Sequence, residues 1–171
     1  MEVVKTFLEI VGLLTTAASI LVVVATVAGW AFGIAPLMYR LGLGRWSRKI
    51  SIAAEGNTYT SLKTDLIDSG VFREKNIQQI SKTTLSDAKN ANLMLVHYGS
   101  FTEGEIKTII RNKKSSAGMI VYFPDFSQTN RIPDDVNKLI NNEPHSVLAN
   151  FRGRLINDIL ITLLSTSYEK K

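Results

Sequence analysis

The sequence predicts an α/β protein in two parts: one N-terminal transmembrane helix, then a small five-stranded parallel doubly wound domain. Three observations predict it. Residues 10–34 contain no Asp, Glu, Lys or Arg. Beyond residue 45, short apolar runs alternate with segments whose apolar residues recur at helical spacing. Those runs are continuous rather than alternating, as strands buried on both faces of a parallel sheet are. The parts divide as 1–44, helix and juxtamembrane segment, and 45–171, the α/β domain.

As a helix, Phe7–Ile34 would rise about 42 Å, against roughly 30 Å of bilayer hydrocarbon. Its one charge is Glu9. A core helix of this length without a polar face does not suit so small a domain, and a signal peptide would have a basic start and a shorter apolar run. A single-pass anchor is expected. Glu2, Lys5 and Glu9 lie on its N-terminal side, and Arg40, Arg45, Arg48 and Lys49 on the other. The positive-inside rule then predicts an inner (cell) membrane protein, N-terminus outside and C-terminal domain cytoplasmic. Trp30, Tyr39 and Trp46 suit interfacial anchoring, and Pro36 with Gly42 and Gly44 suggests a kink or hinge.

The span also carries packing features. Ala25, Gly29 and Gly33 repeat every four residues, a spacing that lets helices approach closely in lipid. Gly12, Ser19, Thr26 and Gly33 recur every seven, widened by Thr15 and Thr16. Self-association is expected from the first pattern. The second is either packing or the hydroxyl lining of a pore, which one helix cannot form alone.

In the second part Lys49–Ala54 reads as a strand leaving through Glu55-Gly56-Asn57. Thr58–Ser69 is a helix closed by Gly70, and Asn76–Ser81 a weak strand before a short helix at Thr84–Asn90. Asn92–Tyr98 is a strong buried strand, and Thr102–Arg111 a helix with Ile106, Ile109 and Ile110 inward. Gly118–Phe123 is the fourth strand, and Ile132–Asn141 a helix with Pro133 in its first turn. Ser146–Phe151 is the fifth strand, before an unusually apolar last helix, Arg152–Ser167. Arg111, Lys113 and Lys114 read as a solvated helix end. Five such units give a Rossmann/flavodoxin-like sheet of order 2-1-3-4-5.

Ligands of such sheets bind beyond the carboxyl ends of the strands, at the switch point between the first and third. The candidate binding residues there are Glu55, Asn57 and Thr58 after the first strand, and His97 and Ser100 after the third. Asp125, Ser127 and Arg131 follow the fourth, and Arg152 and Arg154 the fifth. Local roles compete. Glu55 suits a solvated loop acid, His97 a core histidine, and Asn57 and Thr58 helix caps. Arg152 and Arg154 open a helix, where positive charge opposes the dipole, so an anion or acidic surface nearby is expected.

The chain has no cysteine, which excludes disulfides, thiol nucleophiles and thiolate zinc sites. With two histidines, His97 and His145, no metal centre is expected. GxGxxG, Walker A, GxSxG and HExxH motifs are absent, and the third strand ends in His-Tyr-Gly rather than the Asp of a phosphoacceptor domain. No catalytic residue and no cofactor is assigned.

A membrane helix joined to a small Rossmann-like domain resembles the membrane effectors of prokaryotic anti-phage defence. Asp125-Phe126-Ser127-Gln128-Thr129-Asn130-Arg131 resembles the ligand loop after the fourth strand of CARF domains. That likeness implies binding of a cyclic oligoadenylate. The strand–helix alternation over 49–168 is also similar to TIR-like domains, which implies NAD cleavage with the catalytic Glu on the helix after the third strand. Glu103 and Glu105 hold that place. The resulting expectation is a membrane effector. Its cytoplasmic domain senses a nucleotide second messenger or a defence-system partner protein, and its oligomerised helices disrupt the bilayer. A TIR-like NAD hydrolase and a scaffold recruiting a cytosolic protein are the alternatives. The formal net charge of +5 superficially suggests a nucleic-acid binder. Residues 50–171 hold 15 basic and 13 acidic side chains, however, so no duplex nucleic-acid partner is expected.

Overall fold

In the computed structural model the chain forms two units, 1–39 and 40–171. The structure describes residues 1–36, 38–39, 42, 47–124 and 131–166.

The first unit is α1, Glu2–Gly33. It starts one turn earlier than the apolar run, taking in a Lys5–Glu9 ion pair one helical turn apart. Its 32 residues rise about 48 Å, none is buried, and it is long and apolar enough to cross a membrane. After a turn at Ile34, residues 35–36 and 38–39 are again helical, with the Met38 N–H donating to the Ile34 carbonyl. Pro36 thus lies in helical backbone. Gly44 and Trp46 fall outside the described residues.

The second unit contains a parallel sheet of order β2-β1-β3-β4-β5, as the sequence predicts. Its strands are β1 Ile50–Ala53, β2 Ile77–Ile80, β3 Leu93–His97, β4 Gly118–Tyr122 and β5 Ser146–Ala149. Its helices are α2 Gly56–Asp68, α3 Glu103–Asn112, α4 Asp134–Asn142 and α5 Leu155–Ser165. The short helix expected at Thr84–Asn90 is a 3₁₀ segment, Leu85–Asn90. Pro133 is the N-cap of α4 rather than part of its first turn.

Alternation along the strands sends side chains to two cores. Met94, Val96, Met119 and Val121 meet α3 and α4 (Ile106, Ile109, Val136, Ile140). Ile50, Ile52, Leu95 and Ile120 meet α2 and α5 (Leu62, Leu66, Leu155, Ile159). The sheet is therefore covered on both faces, which is why Leu93–Val96 of β3 and Met119–Val121 of β4 are continuous apolar runs.

Two basic residues are placed differently from expectation. Arg48, one of the flanking charges used to predict the orientation, is 1% exposed. Its Nη1 donates to the Leu163 carbonyl (2.7 Å) and the Thr166 hydroxyl (2.8 Å), and its Nη2 to the Thr166 carbonyl (3.0 Å). A guanidinium thus closes the C-terminal end of α5, where orphan carbonyls and the dipole's negative pole favour a cation. Lys113, read as part of a solvated helix end, has a fully buried side chain. Its ammonium donates to the Pro144 carbonyl (2.9 Å) and the Lys114 carbonyl (3.1 Å), with Glu143 at 3.5 Å.

Burial lowers the Lys113 pKa from the usual 10.5, and the pull of Glu143 offsets only part of this. The folded state disfavours the protonated amine, so the unfolded chain binds more protons and stability rises with pH below about 10.5. Replacing Lys113 by Met is expected to flatten that alkaline rise. Thermal midpoints measured from about pH 8 to about pH 10.5 check it.

Candidate functional site at the carboxyl edge of the sheet

β1 and β3 are adjacent and parallel, with Ala53 in register with Val96, so their exits lie side by side. At the first exit Glu55 is extended (φ −112°) and Gly56 has φ +53°, a left-handed conformation that glycine adopts without strain. That turn starts α2 at Gly56, so Asn57 and Thr58 sit in its first turn and Glu55 occupies the N-cap position. Asn57 and Thr58 therefore do not cap the helix. Nor does the Glu55 side chain, since its carboxylate accepts the Lys82 N–H at 2.8 Å. The positive end of α2 thus opens at the switch point without a side-chain cap, an arrangement suited to an anion.

At the second exit Tyr98–Ser100 form a 3₁₀ turn. It folds the Ser100 hydroxyl back to 2.8 Å from His97 Nδ1, while the Glu55 N–H donates to that hydroxyl at 3.4 Å. The hydroxyl can still donate to Nδ1 or accept from it, as the imidazole tautomer dictates. The His97 ring also tilts against Tyr122 at 5.8 Å between centroids, and both His97 and Ser100 are half-buried. Glu55, His97 and Ser100 are thus brought together, with Asn57 and Thr58 beside them in sequence. Tyr98 packs on Phe123 at 5.0 Å; burial first, then Glu103 and Asp135, raise its hydroxyl pKa.

The arginines after β5 do not join this cluster. Arg152 forks onto Asp65 of α2, Nε to Oδ2 at 2.7 Å and Nη2 to Oδ1 at 2.9 Å, and also reaches Ser61. The bond to Asp65 raises its pKa. The acidic surface expected near these arginines is therefore the protein's own α2. Arg154 lies 3.6 Å from Asp158. Arg131 is exposed, and Asp125 and Ser127 lie outside the described residues. A cavity of about 330 Å³ opens between α2 and α5 rather than at the switch point, lined by Leu62, Leu66, Leu95 and Ile156 with Asp65 and Arg152.

Glu105 has a structural task. Thr102 and Glu105 form a capping box on α3: the Glu105 carboxylate accepts the Thr102 N–H (2.8 Å) and the Thr102 side chain accepts the Glu105 N–H (3.4 Å). The Thr102 N–H bond, above all, lowers the Glu105 pKa. Glu103 lies exposed in the same turn. Among the described residues no group of three or more His, Asp or Glu side chains could hold a metal ion.

On α1 every residue of the seven-residue stripe stands exposed. Ser19 donates to the Thr15 carbonyl and Thr26 to the Val22 carbonyl, each at 2.8 Å, while Thr15 and Thr16 bond back to the preceding turn. The hydroxyl hydrogens are thus satisfied within the helix, which makes the stripe compatible with lipid. A Cβ added at Gly12, Gly29 or Gly33 would meet nothing within 4 Å.

No protein-family model matches the chain, and no curated protein does. Among solved structures it is similar to a protein of Burkholderia pseudomallei described as pilus assembly-related. The two share 11% identity over 72% of this chain and 94% of that one, with a TM-score of 0.51. At that identity the likeness shows the fold alone.

Proposed function

We propose that the chain is a single-pass membrane effector, its α/β domain cytoplasmic and its N-terminus outside. In this reading the carboxyl edge of the sheet senses a nucleotide signal or a partner protein. Self-association of α1 then disturbs or depolarises the membrane, in the setting of anti-phage defence. The observation that carries it is α1 itself: 32 residues, none buried, with small residues in register along it. The uncapped α2 terminus beside Ser100 and His97 supports an anionic ligand. Arg40, Arg45 and Lys49 support the orientation; Arg48, spent on α5, does not.

NAD cleavage has less support, because one of its two candidate acids, Glu105, is committed to the capping box. A scaffold role would need α1 only as an anchor, leaving its small-residue pattern unused.

Expression in bacteria with a potential-sensitive dye tests the reading. Wild-type chain is expected to depolarise cells when its signal is present. Gly29→Leu/Gly33→Leu is expected to abolish this; since a Cβ at either position meets nothing within 4 Å, the loss would report contacts between helices. Glu103→Gln/Glu105→Gln is expected to act like wild type. NAD depletion that disappears in the glutamine variant overturns the effector reading in favour of hydrolysis.

A further inference from the structure

Ser100 and His97 hold a relation that the neighbouring helix does not require. α3 is capped by Thr102, so the Ser100 hydroxyl has no helix end to satisfy. It lies instead 2.8 Å from His97 Nδ1, in the turn that leaves β3, and both side chains are half-buried rather than sealed from solvent. The backbone makes room for this contact. The imidazole folds over Gly99, where a Cβ would stand 3.2 Å from His97 Cε1, so even alanine would push the ring by a few tenths of an ångström.

A hydroxyl hydrogen-bonded to an imidazole is the pairing by which a general base makes serine nucleophilic. With the imidazole proton on Nε2, Nδ1 is the acceptor. The start of α2 comes to the same place, because the Glu55 N–H donates to the Ser100 oxygen at 3.4 Å. The first helical bond of α2 runs from the Tyr59 N–H to the Glu55 carbonyl. The N–H groups of Gly56, Asn57 and Thr58 therefore lie outside the helical ladder, as donors for an oxygen that becomes negative beside Ser100.

We propose that Ser100 is a nucleophile, with His97 as its general base, and that the carboxyl edge of the sheet hydrolyses carboxylic esters. The Ser100 proton passes to Nδ1 as Oγ bonds the ester carbon, and the carbonyl electron pair moves to its oxygen, facing the α2 amides. Collapse breaks the carbon–oxygen bond to the alcohol, which leaves with the proton from Nδ1. Water then adds to the acyl-serine, giving a proton to Nδ1. That proton returns to Oγ as the acyl group departs as the acid. Only ester and water are consumed. An ester fits a two-residue device, because its alcohol needs less acid assistance to leave than an amine does. The dyad lies at the edge read above as a sensor, but its chemistry requires neither a membrane nor a signal.

A serine-directed fluorophosphonate probe, applied to the full-length chain in mild detergent, tests the assignment. The expected product is a single adduct, placed on Ser100 by peptide mass spectrometry and absent in Ser100→Ala. His97→Gln is expected to slow labelling at least about 100-fold, the usual share of a general base. Gly99→Ala, which displaces the ring while keeping both side chains, is expected to slow it about tenfold. The wild-type rate is expected to rise as pH passes about 6.5, where imidazolium gives way to neutral imidazole, and the rise disappears in His97→Gln. Hydrolysis of p-nitrophenyl acetate is expected to follow the same order. An adduct elsewhere, no adduct, or a Ser100 rate unchanged in Gly99→Ala and without the pH rise overturns the nucleophile. Cells that still depolarise with Ser100→Ala separate this result from the effector reading, which then stands or falls on its own.

Discussion

Replacing Arg48 by Met is expected to destabilise the α/β domain by about 3 kcal/mol, a large share of the roughly 5–15 kcal/mol that holds a domain folded. The guanidinium is 1% exposed and makes three hydrogen bonds to the end of α5. Methionine fills much of the volume but donates nothing, leaving the Leu163 and Thr166 carbonyls facing an apolar side chain. Each such bond to a charged donor contributes about 1.5–3 kcal/mol, and desolvation of the charge returns part of that sum. Arg48→Lys is expected to recover only about a third, because the shorter side chain ends in a single nitrogen and cannot place one nitrogen on the Leu163 carbonyl and another on the Thr166 carbonyl as the planar guanidinium does. Urea unfolding of the full chain in mild detergent, followed by far-UV circular dichroism, checks both variants. A midpoint shift below about 0.5 M for Arg48→Met overturns the assignment.

Gly118→Ala has the second largest expected effect. Gly118 opens β4 directly beneath α5, and a Cβ there would collide with the Thr162 Cγ2 methyl and lie 2.8 Å from Leu93 Cδ1. Both neighbours are buried, so neither yields easily; overpacking of this kind costs about 1–3 kcal/mol, and the upper end is expected here. The relief is specific. Thr162→Ala removes the colliding methyl together with a hydroxyl that has no hydrogen-bond partner among the described residues. The double variant Gly118→Ala/Thr162→Ala is therefore expected to regain about half the loss, a coupling of at least about 1 kcal/mol that distant sites do not show. Thermal midpoints of the four members of the cycle measure it.

The architecture was legible because it rests on local patterns. Continuous apolar runs such as Leu93–His97 and Gly118–Tyr122 mark strands buried on both faces, and Gly70 marked the end of α2, where it takes φ +69°. The Arg48 contact leaves a trace in the sequence. Arg48 shares strand parity with Ile50 and Ile52, which face α5, so alternation alone carries it under that helix. The capping box was also readable, as Thr102 followed three residues later by Glu105 ahead of Ile106. The Arg152–Asp65 pair was not readable, because 87 residues separate its partners and only the packing of α5 beside α2 unites them. Likewise the start of α2 depended on the left-handed turn at Gly56, which moved Asn57 and Thr58 from cap to first turn.

The Arg48 contact also bears on timing during synthesis. The side chain that leads into the first strand is secured by Thr166, 118 residues later. At roughly 5–20 residues per second a ribosome needs about 6–24 s to cover that distance. Throughout that interval the nascent domain lacks its closing helix, although α1 is already synthesised. A prematurely terminated product would therefore carry the membrane-length helix α1 without a finished α/β domain. Such a product would expose the face of the sheet that α5 normally covers.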